Sequence, residues 1–244
     1  MSFQDKLLDS FIAFEQVIDL DNPVHTVRKN ALKRFESDGF PTKKDELWKY
    51  TSLKSIIQKD YSLSVKSNPN VGLKDIEKYS INDTDSYKIV FVDGVFNPFL
   101  SNTTHDGMDI CVLSAALSKT KYKKTITKYF NKIVPDDQSL ASLNTSYTKE
   151  GAYIHIPKSV LPEDPVQILH FSSGKNKPLW LQPRNIIIVE ENARVEIIER
   201  HQSLRSHDGA INSLTEIYAE KNSFIDYYKI QNDLETSNLI DNTF

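Results

Sequence analysis

AYIHIPKSVLPEDPVQILHF (152–171), RNIIIVEENARVEIIERHQ (184–202) and LTEIYAEKNSFIDYYKIQ (214–231) are three segments of one design that decide the fold. Each contains an apolar strand, a short polar turn and a second strand of alternating character. Val166, Val195 and Ile225 occupy matching positions, which gives spacings of 29 and then 30 residues. Self-similarity at a period of roughly 20–50 residues is typical of repeat architectures, so the sequence predicts a stack of similar units.

The alternation inside each segment favours strands over helices. In the second segment Val195 and Ile197 fall on one face, and Glu196 and Ile198 fall on the other. Period-two alternation rich in Ile, Val and Tyr is typical of a half-buried strand. No helix-length apolar run separates the segments, so crossover helices are not expected. Strands stacked on their own copies predict a β-helix, and the alternative is a β-sandwich of antiparallel hairpins.

The composition is that of an ordinary soluble protein. Of the 244 residues, 39% are hydrophobic and 26% are charged, and the net charge of −3 gives no general attraction for nucleic acid or anionic membranes. The single cysteine, Cys111, excludes an internal disulfide and an all-cysteine metal site. No apolar run approaches the roughly 20 residues of a membrane helix, and the N-terminal segment lacks a signal peptide's apolar core. A cytoplasmic location is therefore expected.

The first 60 residues predict a helical region. Residues 2–20 carry apolar side chains at helical spacing. A second helix is predicted to begin at Pro23 after the N-cap residue Asn22 and to end at Gly39. Beyond it, Trp48 and Tyr50 could form a ligand-stacking pair, but no convergent polar residues accompany them. Large aromatic side chains more commonly dock a helix onto a core, and this structural role is preferred for both.

Residues 61–135 predict a mixed α/β connecting region with a β-hairpin and an amphipathic helix. The hairpin lies at 88–101, where an Asp-Gly pair separates two apolar runs, so Asp93 is expected to serve the turn rather than catalysis. Cys111 lies among apolar neighbours without an adjacent base, which favours a small buried hydrophobe over a reactive thiol.

The segment 119–134 contains six lysines and no acidic residue. One interpretation is a nucleic-acid-binding patch, which would bind in a salt-sensitive manner. The preferred interpretation is a packed amphipathic helix whose lysines lie on the solvent face. Its apolar stripe consists of Tyr122, Ile126, Tyr129, Phe130 and Ile133.

Four histidines, His155, His170, His201 and His207, fall among the repeated segments. A metal site needs three or four converging ligands, and no His-x-His or His-x-x-x-His spacing is present. Ligand roles across stacked strands stay open, but each histidine is expected to be hydrogen-bonded or exposed. No catalytic, cofactor-binding or metal residue is assigned from the sequence.

Several stretches together resemble the SufB/SufD family of the SUF iron–sulfur cluster assembly system. ALKRFESDGFPTKKDELWKYTSL (31–53) is similar to the family's N-terminal signature and favours the SufD branch. The segment 142–171 resembles the first core strands, and 183–199 and 214–231 resemble the next ones. The resemblance is carried by the order and combination of these stretches and weakens mainly over 60–135.

The resemblance implies an α+β protein, with an N-terminal helical domain followed by a right-handed parallel β-helix. The expected divisions are 1–60 for the helical region, 61–135 for the connecting region and 136–244 for the β-helix core. Since another strand begins near 237, the β-helix is expected to be incomplete at its C-terminal end, with the family's C-terminal helical domain missing. An exposed strand edge there predicts self-association, including a homodimer through the β-helix.

The functional implication is a non-catalytic scaffold subunit. The expected partners are a SufB-like subunit, bound through the β-helix, and a SufC-like ATPase, whose docking region is expected to be missing. The chain is expected to bind no cofactor and to contact neither nucleic acid nor a membrane. The iron–sulfur cluster would be assembled within the complex. The alternative is a β-helix enzyme acting on polysaccharide, for which Glu196 and Asp226 would be stacked carboxylates.

Overall fold

The computed structural model describes residues 1–63, 70–81, 86–105, 107–174, 177–206, 208–234 and 236–244. Helices dominate the first part of the chain and strands the second, which confirms the α+β class. The α-helices of these residues are α1 (Phe3–Glu15), α2 (Pro23–Asp38), α3 (Lys54–Ile57), α4 (Leu73–Ile76), α5 (Leu113–Ser118), α6 (Thr120–Tyr129) and α7 (Ser139–Ser146). None of these described helices is both long and apolar enough to cross a bilayer.

Two sheets contain the strands. The strands are β1 (Tyr87–Val92), β2 (Val95–Phe96), β3 (Asp109–Val112), β4 (Ala152–Ile156), β5 (Val166–Ser172), β6 (Trp180–Leu181), β7 (Arg184–Val189), β8 (Arg194–Ser203), β9 (Ala210–Ala219), β10 (Phe224–Asn232) and β11 (Asn238–Thr243). Sheet I has the order β10-β8-β5-β1-β2, and sheet II has the order β11-β9-β7-β4-β3 with β6 beside β9. The β1–β2 and β3–β4 pairs are antiparallel, and the other pairs are parallel.

From β4 onward the chain alternates between the two sheets, except that the two-residue strand β6 and the following β7 both lie in sheet II. In sheet II β4, β7, β9 and β11 pair in sequence, and in sheet I β5, β8 and β10 do the same. Each repeated segment therefore stacks in parallel on its own copy, as the periodicity predicts. The alternative of separate antiparallel hairpins is wrong, because neighbouring segments pair in parallel.

The predicted register is correct for one pair of segments and wrong for the other. Val195 lies opposite Ile225 as expected, but Val166 lies opposite Ile197 rather than Val195. The cause is a longer connection between β4 and β5 than between β7 and β8. A shift of two residues keeps every side chain on its predicted face.

The space between the sheets holds an apolar core in one half. Strand alternation turns its members inward, and most are fully buried. A buried aliphatic side chain of this size stabilises the fold by roughly 1.5–3 kcal/mol, so this cluster holds the two sheets together. The cluster includes Ile89, Phe91, Ile154, Ile156, Val166, Ile168, Ile187, Val189, Val195 and Ile197.

The N-terminal helices follow the predicted signals closely. Helix α1 begins in a capping box formed by Ser2 and Asp5 and ends at Glu15, earlier than the predicted 2–20. Helix α2 is capped by Asn22, whose side chain accepts a hydrogen bond from the Val24 amide, and ends before Gly39 at φ 68°. Only glycine adopts that left-handed conformation without strain, which explains the stop.

The hairpin of the connecting region becomes part of sheet I, because β1 pairs in parallel with β5. Asp93 lies in the turn at φ 51°, as predicted. Its buried carboxylate also accepts hydrogen bonds from the amide and hydroxyl of Ser173, at 2.8 and 2.5 Å. Asp93 thus ties the hairpin to the end of β5.

A buried ion pair docks helix α7 onto the outer face of sheet II. Arg184 on β7 donates to Glu216 on β9, with Nη2 to Oε1 at 2.6 Å, and both side chains have zero exposure. The same guanidinium donates to Thr145 Oγ1 on α7 at 2.8 Å and to Asn131 Oδ1 at 3.0 Å. Asn144 on α7 adds donations to the carbonyls of Pro183 and Asn212. Because Arg184 bonds to Glu216 on the sheet and to Thr145 on the helix, it fixes the helix on the sheet.

Candidate functional site

Three ionisable side chains lie inside the other half of the space between the sheets. His170 continues the inward face of β5, and Glu199 and His201 continue the inward face of β8. His170 is opposite His201 in the parallel register. His170 is 6% exposed, and Glu199 and His201 are fully buried. The interior is therefore apolar at one end of the strands and polar at the other.

The three side chains converge on one carboxylate oxygen. His201 Nε2 lies 2.7 Å from Glu199 Oε1, and His170 Nε2 lies 4.0 Å from the same oxygen. The two imidazole rings stack with centroids 4.7 Å apart, and Phe91 on β1 stacks on the other face of His170 at 5.0 Å. This ladder of three rings across β1, β5 and β8 fixes the orientation of both imidazoles.

The second oxygen of Glu199 is held by three hydrogen-bond donors and one ammonium, which come from both sheets. Since Oε2 is fully engaged, the carboxylate cannot rotate freely and Oε1 stays directed at the histidines. The donors are Asn185 Nδ2 at 3.1 Å, Thr215 Oγ1 at 3.3 Å and the Tyr227 hydroxyl, and the Lys229 ammonium forms an ion pair with Oε2 at 3.6 Å.

Charges around the site come from three residues. The Lys229 ammonium lies between Glu199 and Asp241, and its Nζ is 2.5 Å from Asp241 Oδ1. Two carboxylates therefore face one ammonium, so the charges of Glu199, Asp241 and Lys229 sum to one negative charge. Net negative charge in a buried interior favours a cation.

Burial and neighbouring charge set the protonation states. Burial lowers the pKa of His170 to about 3, with His201 and Lys229 acting in the same direction against Glu199. Burial alone would raise the pKa of Glu199, but the hydrogen bond from His201 and the charges of His201 and Lys229 lower it below its ordinary value. At neutral pH the site thus presents a carboxylate and a neutral imidazole, which are the ligand forms of these groups.

Two nitrogens in the site lack hydrogen-bond partners. His170 Nε2 and His201 Nδ1 are buried and have no partner. One ligand atom from each of His170, Glu199 and His201 lies within 4.8 Å of the other two, and no second group of three such residues occurs in the described ranges. The arrangement can hold a metal ion or donate and accept protons within the buried interior.

The other histidines lie elsewhere. His155 pairs with Glu190 at 3.0 Å and with Asp109 at 3.7 Å on the edge of the core, as expected for a hydrogen-bonded histidine. His207 lies outside the described residues. The prediction that each histidine is individually satisfied or exposed is wrong for His170, whose Nε2 is both buried and unpaired.

The sequence signal for the site was the Glu199-x-His201 pair on one strand face. A search for paired histidines misses it, because one ligand is a carboxylate and the second histidine lies on the neighbouring strand. The 29-residue spacing would have placed His170 opposite Glu199, which already joins the three side chains on one inward face.

The remaining candidates have structural roles or are exposed. Trp48 packs against the cluster that includes Leu7 and Phe35, as predicted, whereas Tyr50 is 90% exposed, so its predicted docking role is wrong. Burial raises the pKa of the Cys111 thiol to about 11, which opposes nucleophilic reactivity at neutral pH.

The basic segment 119–134 forms α6 with three buried aromatic or aliphatic side chains on its inner face. The packed-helix interpretation is therefore correct over α6. The helix ends at Tyr129, before the predicted 134, and Ile133 is exposed because Asn131 turns the chain at φ 59°.

The acidic pair Glu196 and Asp226 is aligned across β8 and β10 as predicted. Asp226 forms an exposed ion pair with Arg194, with Nη2 3.1 Å from Oδ2. These residues lie on the outward face of sheet I, and we find no cavity around them among the described pockets. The alignment is that of ordinary exposed strand positions.

Comparisons with known proteins give a consistent result. Residues 1–168 match the family model described as the SufBD protein N-terminal region, and residues 170–244 match that of the SUF system FeS cluster assembly, SufBD core domain. An iron–sulfur cluster assembly SufBD family protein of Synechocystis is 24% identical over 84% of this chain and 47% of its own length.

Two proteins of Bacillus subtilis are also similar. Its iron–sulfur cluster assembly protein SufD is 25% identical over 50% of this chain and 27% of its own length. Its SufB is 31% identical over 41% of this chain and 21% of its own length. The chain thus spans at most about half the length of these curated relatives.

Proposed function

Because the chain belongs to the SufBD family, we propose that it is a non-catalytic scaffold subunit that supports iron–sulfur cluster assembly on a partner subunit. The observation that carries this proposal is the pair of adjoining family models, which together extend over residues 1–168 and 170–244. The cluster is the product of the assembly rather than a resident cofactor of this chain. The N-terminal signature at 31–53 supports a place in the SufD branch.

We further propose that the two sheets form a right-handed parallel β-helix. Apart from the two-residue β6, the strands from β4 onward alternate between sheets I and II, which supports a continuous coil. Right-handed connections between parallel strands are strongly preferred, because they suit the natural twist of the strands. Residues 136–244 would be this core, after a helical region over 1–60 and a connecting region over 61–135.

The proposed partner surface is the outer face and edge of β10. This strand is the edge of sheet I in the described chain, and its outward residues Phe224 and Tyr228 are exposed. An exposed strand edge offers backbone groups for pairing with another chain. We propose a SufB-like subunit as its occupant, with a SufC-like ATPase driving the assembly, in the cytoplasm. A second copy of this chain would use the same edge as a homodimer.

Co-purification tests this proposal. The chain is co-expressed with the SufB-like and SufC-like proteins of its own organism, and anaerobic cluster formation is followed by its visible absorption. We expect the three proteins to purify together and cluster formation to fall when this chain is left out. Tyr228→Glu should weaken the association, whereas Leu161→Glu, an exposed control on the β4–β5 connection, should not. Equal cluster formation without the chain, and no co-purification, would overturn the proposal.

A further inference from the structure

One nitrogen in the interior site, His170 Nε2, has no hydrogen-bond partner. His170 is almost fully buried, its Nε2 has no partner, and it points at Glu199 Oε1 from 4.0 Å. A buried polar atom without a partner costs roughly 1–3 kcal/mol. Such atoms are uncommon in native structures, and a bound ion is one way to complete them. Here a carboxylate and a second imidazole lie beside the unpartnered nitrogen, which is the ligand set of a metal ion.

We propose that His170, Glu199 and His201 are the three protein ligands of a divalent transition metal ion. Each side chain offers one donor atom within 4.8 Å of the other two. Metal–nitrogen and metal–oxygen bonds of about 2.0–2.2 Å place neighbouring ligands roughly 3 Å apart. His201 Nε2 and Glu199 Oε1 are 2.7 Å apart and share a hydrogen bond, whose proton a metal ion would replace. His170 Nε2, 4.0 Å from the same oxygen, would move about 1 Å closer to it on binding the ion.

The surroundings of Glu199 are those of a supported metal ligand. Its Oε2 is fixed by Asn185, Thr215, Tyr227 and Lys229, and only Oε1 is left for an ion. Outer hydrogen bonds of this kind orient metal-binding carboxylates in known sites. The stack of Phe91 on His170 similarly fixes the first imidazole.

Lys229 is the one feature that opposes a cation. Its ammonium lies on the Oε2 side of Glu199, away from the proposed ion, and Asp241 neutralises it at 2.5 Å. Lys229 and Asp241 are also partly exposed, at 18% and 27%. They mark the side from which an ion would reach the interior. Removing the ammonium should therefore strengthen metal binding.

The donor set selects the class of ion. Two imidazole nitrogens and one carboxylate oxygen suit ferrous iron, cobalt, nickel and zinc, whereas magnesium and calcium prefer oxygen ligands alone. Three protein ligands leave at least one position open for water or a substrate ligand. Ferrous iron, held as a substrate for cluster assembly, is the physiological ion that we infer, and this choice rests on the proposed function.

Cobalt titration of the purified full chain tests the site directly, because Co²⁺ bound by nitrogen and oxygen has visible absorption bands. We expect one Co²⁺ per chain, displaced by a large excess of anaerobic Fe²⁺ but not by the same excess of Mg²⁺. His170→Phe preserves the ring stack on Phe91 but removes the nitrogen, so it should fold normally and weaken Co²⁺ binding at least about 100-fold. His155→Gln, a histidine on the edge of the core, is the matched control and should bind as the original chain does. Lys229→Gln should bind Co²⁺ more tightly.

Two results would overturn the metal site: no stoichiometric Co²⁺ binding, or binding that survives in His170→Phe and in Glu199→Gln. Circular dichroism confirms that each variant is folded. These experiments distinguish an error in the metal-site proposal from an error in the proposed function. Loss of the metal site leaves the co-purification result intact, and a chain that binds Co²⁺ but is not needed for cluster formation overturns the assembly role alone.

Discussion

Replacement of Arg184 by Met tests how the helical region is fixed to the sheets. Arg184 and Glu216 are both fully buried, and the guanidinium donates to the carboxylate through Nε at 3.2 Å and Nη2 at 2.6 Å. Removing one partner of a buried pair leaves an uncompensated charge and costs about 3–5 kcal/mol. Since a domain is stable by roughly 5–15 kcal/mol in total, Arg184→Met should lose a large part of its stability.

The chain provides a matched exposed pair as a control. Arg194 and Asp226 have the same relation across β8 and β10 that Arg184 and Glu216 have across β7 and β9, with the acid two residues beyond the position opposite the arginine. Their side chains are 61% and 46% exposed, and the ion pair measures 3.1 Å. Arg194→Met should therefore cost at most about 1 kcal/mol.

Urea unfolding followed by circular dichroism measures both effects. The double variant Arg184→Met/Glu216→Leu should lose at least about 1 kcal/mol less than the sum of the two single variants, because it leaves no unpaired charge. A loss for Arg184→Met no larger than that for Arg194→Met, or two single losses that add without coupling, would contradict the role of the buried pair.

Three further predictions follow from single residues. Gly151→Ala should cost about 3 kcal/mol in thermal or urea unfolding, because the added Cβ would lie 1.9 Å from the Arg184 carbonyl oxygen at φ +140°, and an unchanged melting temperature would contradict this. Burial raises the pKa of Tyr147 to about 12, above its unfolded value near 10, so its contribution is present below pH 10 and is lost as the pH rises through 12. Tyr147→Phe, which removes the bond to Leu7, should cost about 1 kcal/mol at pH 7, and its deficit in urea unfolding should shrink between pH 10 and 12. Cys111, with its pKa raised to about 11, should be alkylated at pH 8 roughly 100-fold more slowly than a thiol of ordinary pKa, and rapid labelling of the folded chain would contradict this.

Strand direction and face were predictable from the sequence, but one register was not. Strict alternation in the segments around Val195 and Ile225 fixed the inward face, and their similar polar turns fixed the pairing. The connection before Val166 is longer than that before Val195, so the spacing between the two residues does not give the register of their strands. A two-residue error of this kind leaves the faces unchanged.

Helix α7 was not predicted because it has no polar face. Every residue from Leu140 to Ser146 is buried, so the segment shows no amphipathic stripe. Its position depends on Arg184 and Asn144, whose partners lie far away in sequence. Long-range polar contacts of this kind are visible only once the sheets are formed.

The interior site was partly readable from the sequence. Alternation places His170, Glu199 and His201 on inward faces, where ionisable groups are uncommon. Their convergence depends on the pairing of β5 with β8, and the role of Lys229 and Asp241 depends on the contact between the two sheets. The sequence therefore shows that the three residues face inward, but it does not show that they contact one another.

The claim that the polar half of the interior is a ligand site is tested most directly by X-ray anomalous scattering at the iron absorption edge. Crystals of the full chain would be grown and soaked with Fe²⁺ without oxygen. We predict one anomalous peak about 2 Å from His170 Nε2, His201 Nε2 and Glu199 Oε1. A fully loaded crystal with no peak there, and with Glu199 Oε1 still hydrogen-bonded to His201, would contradict it.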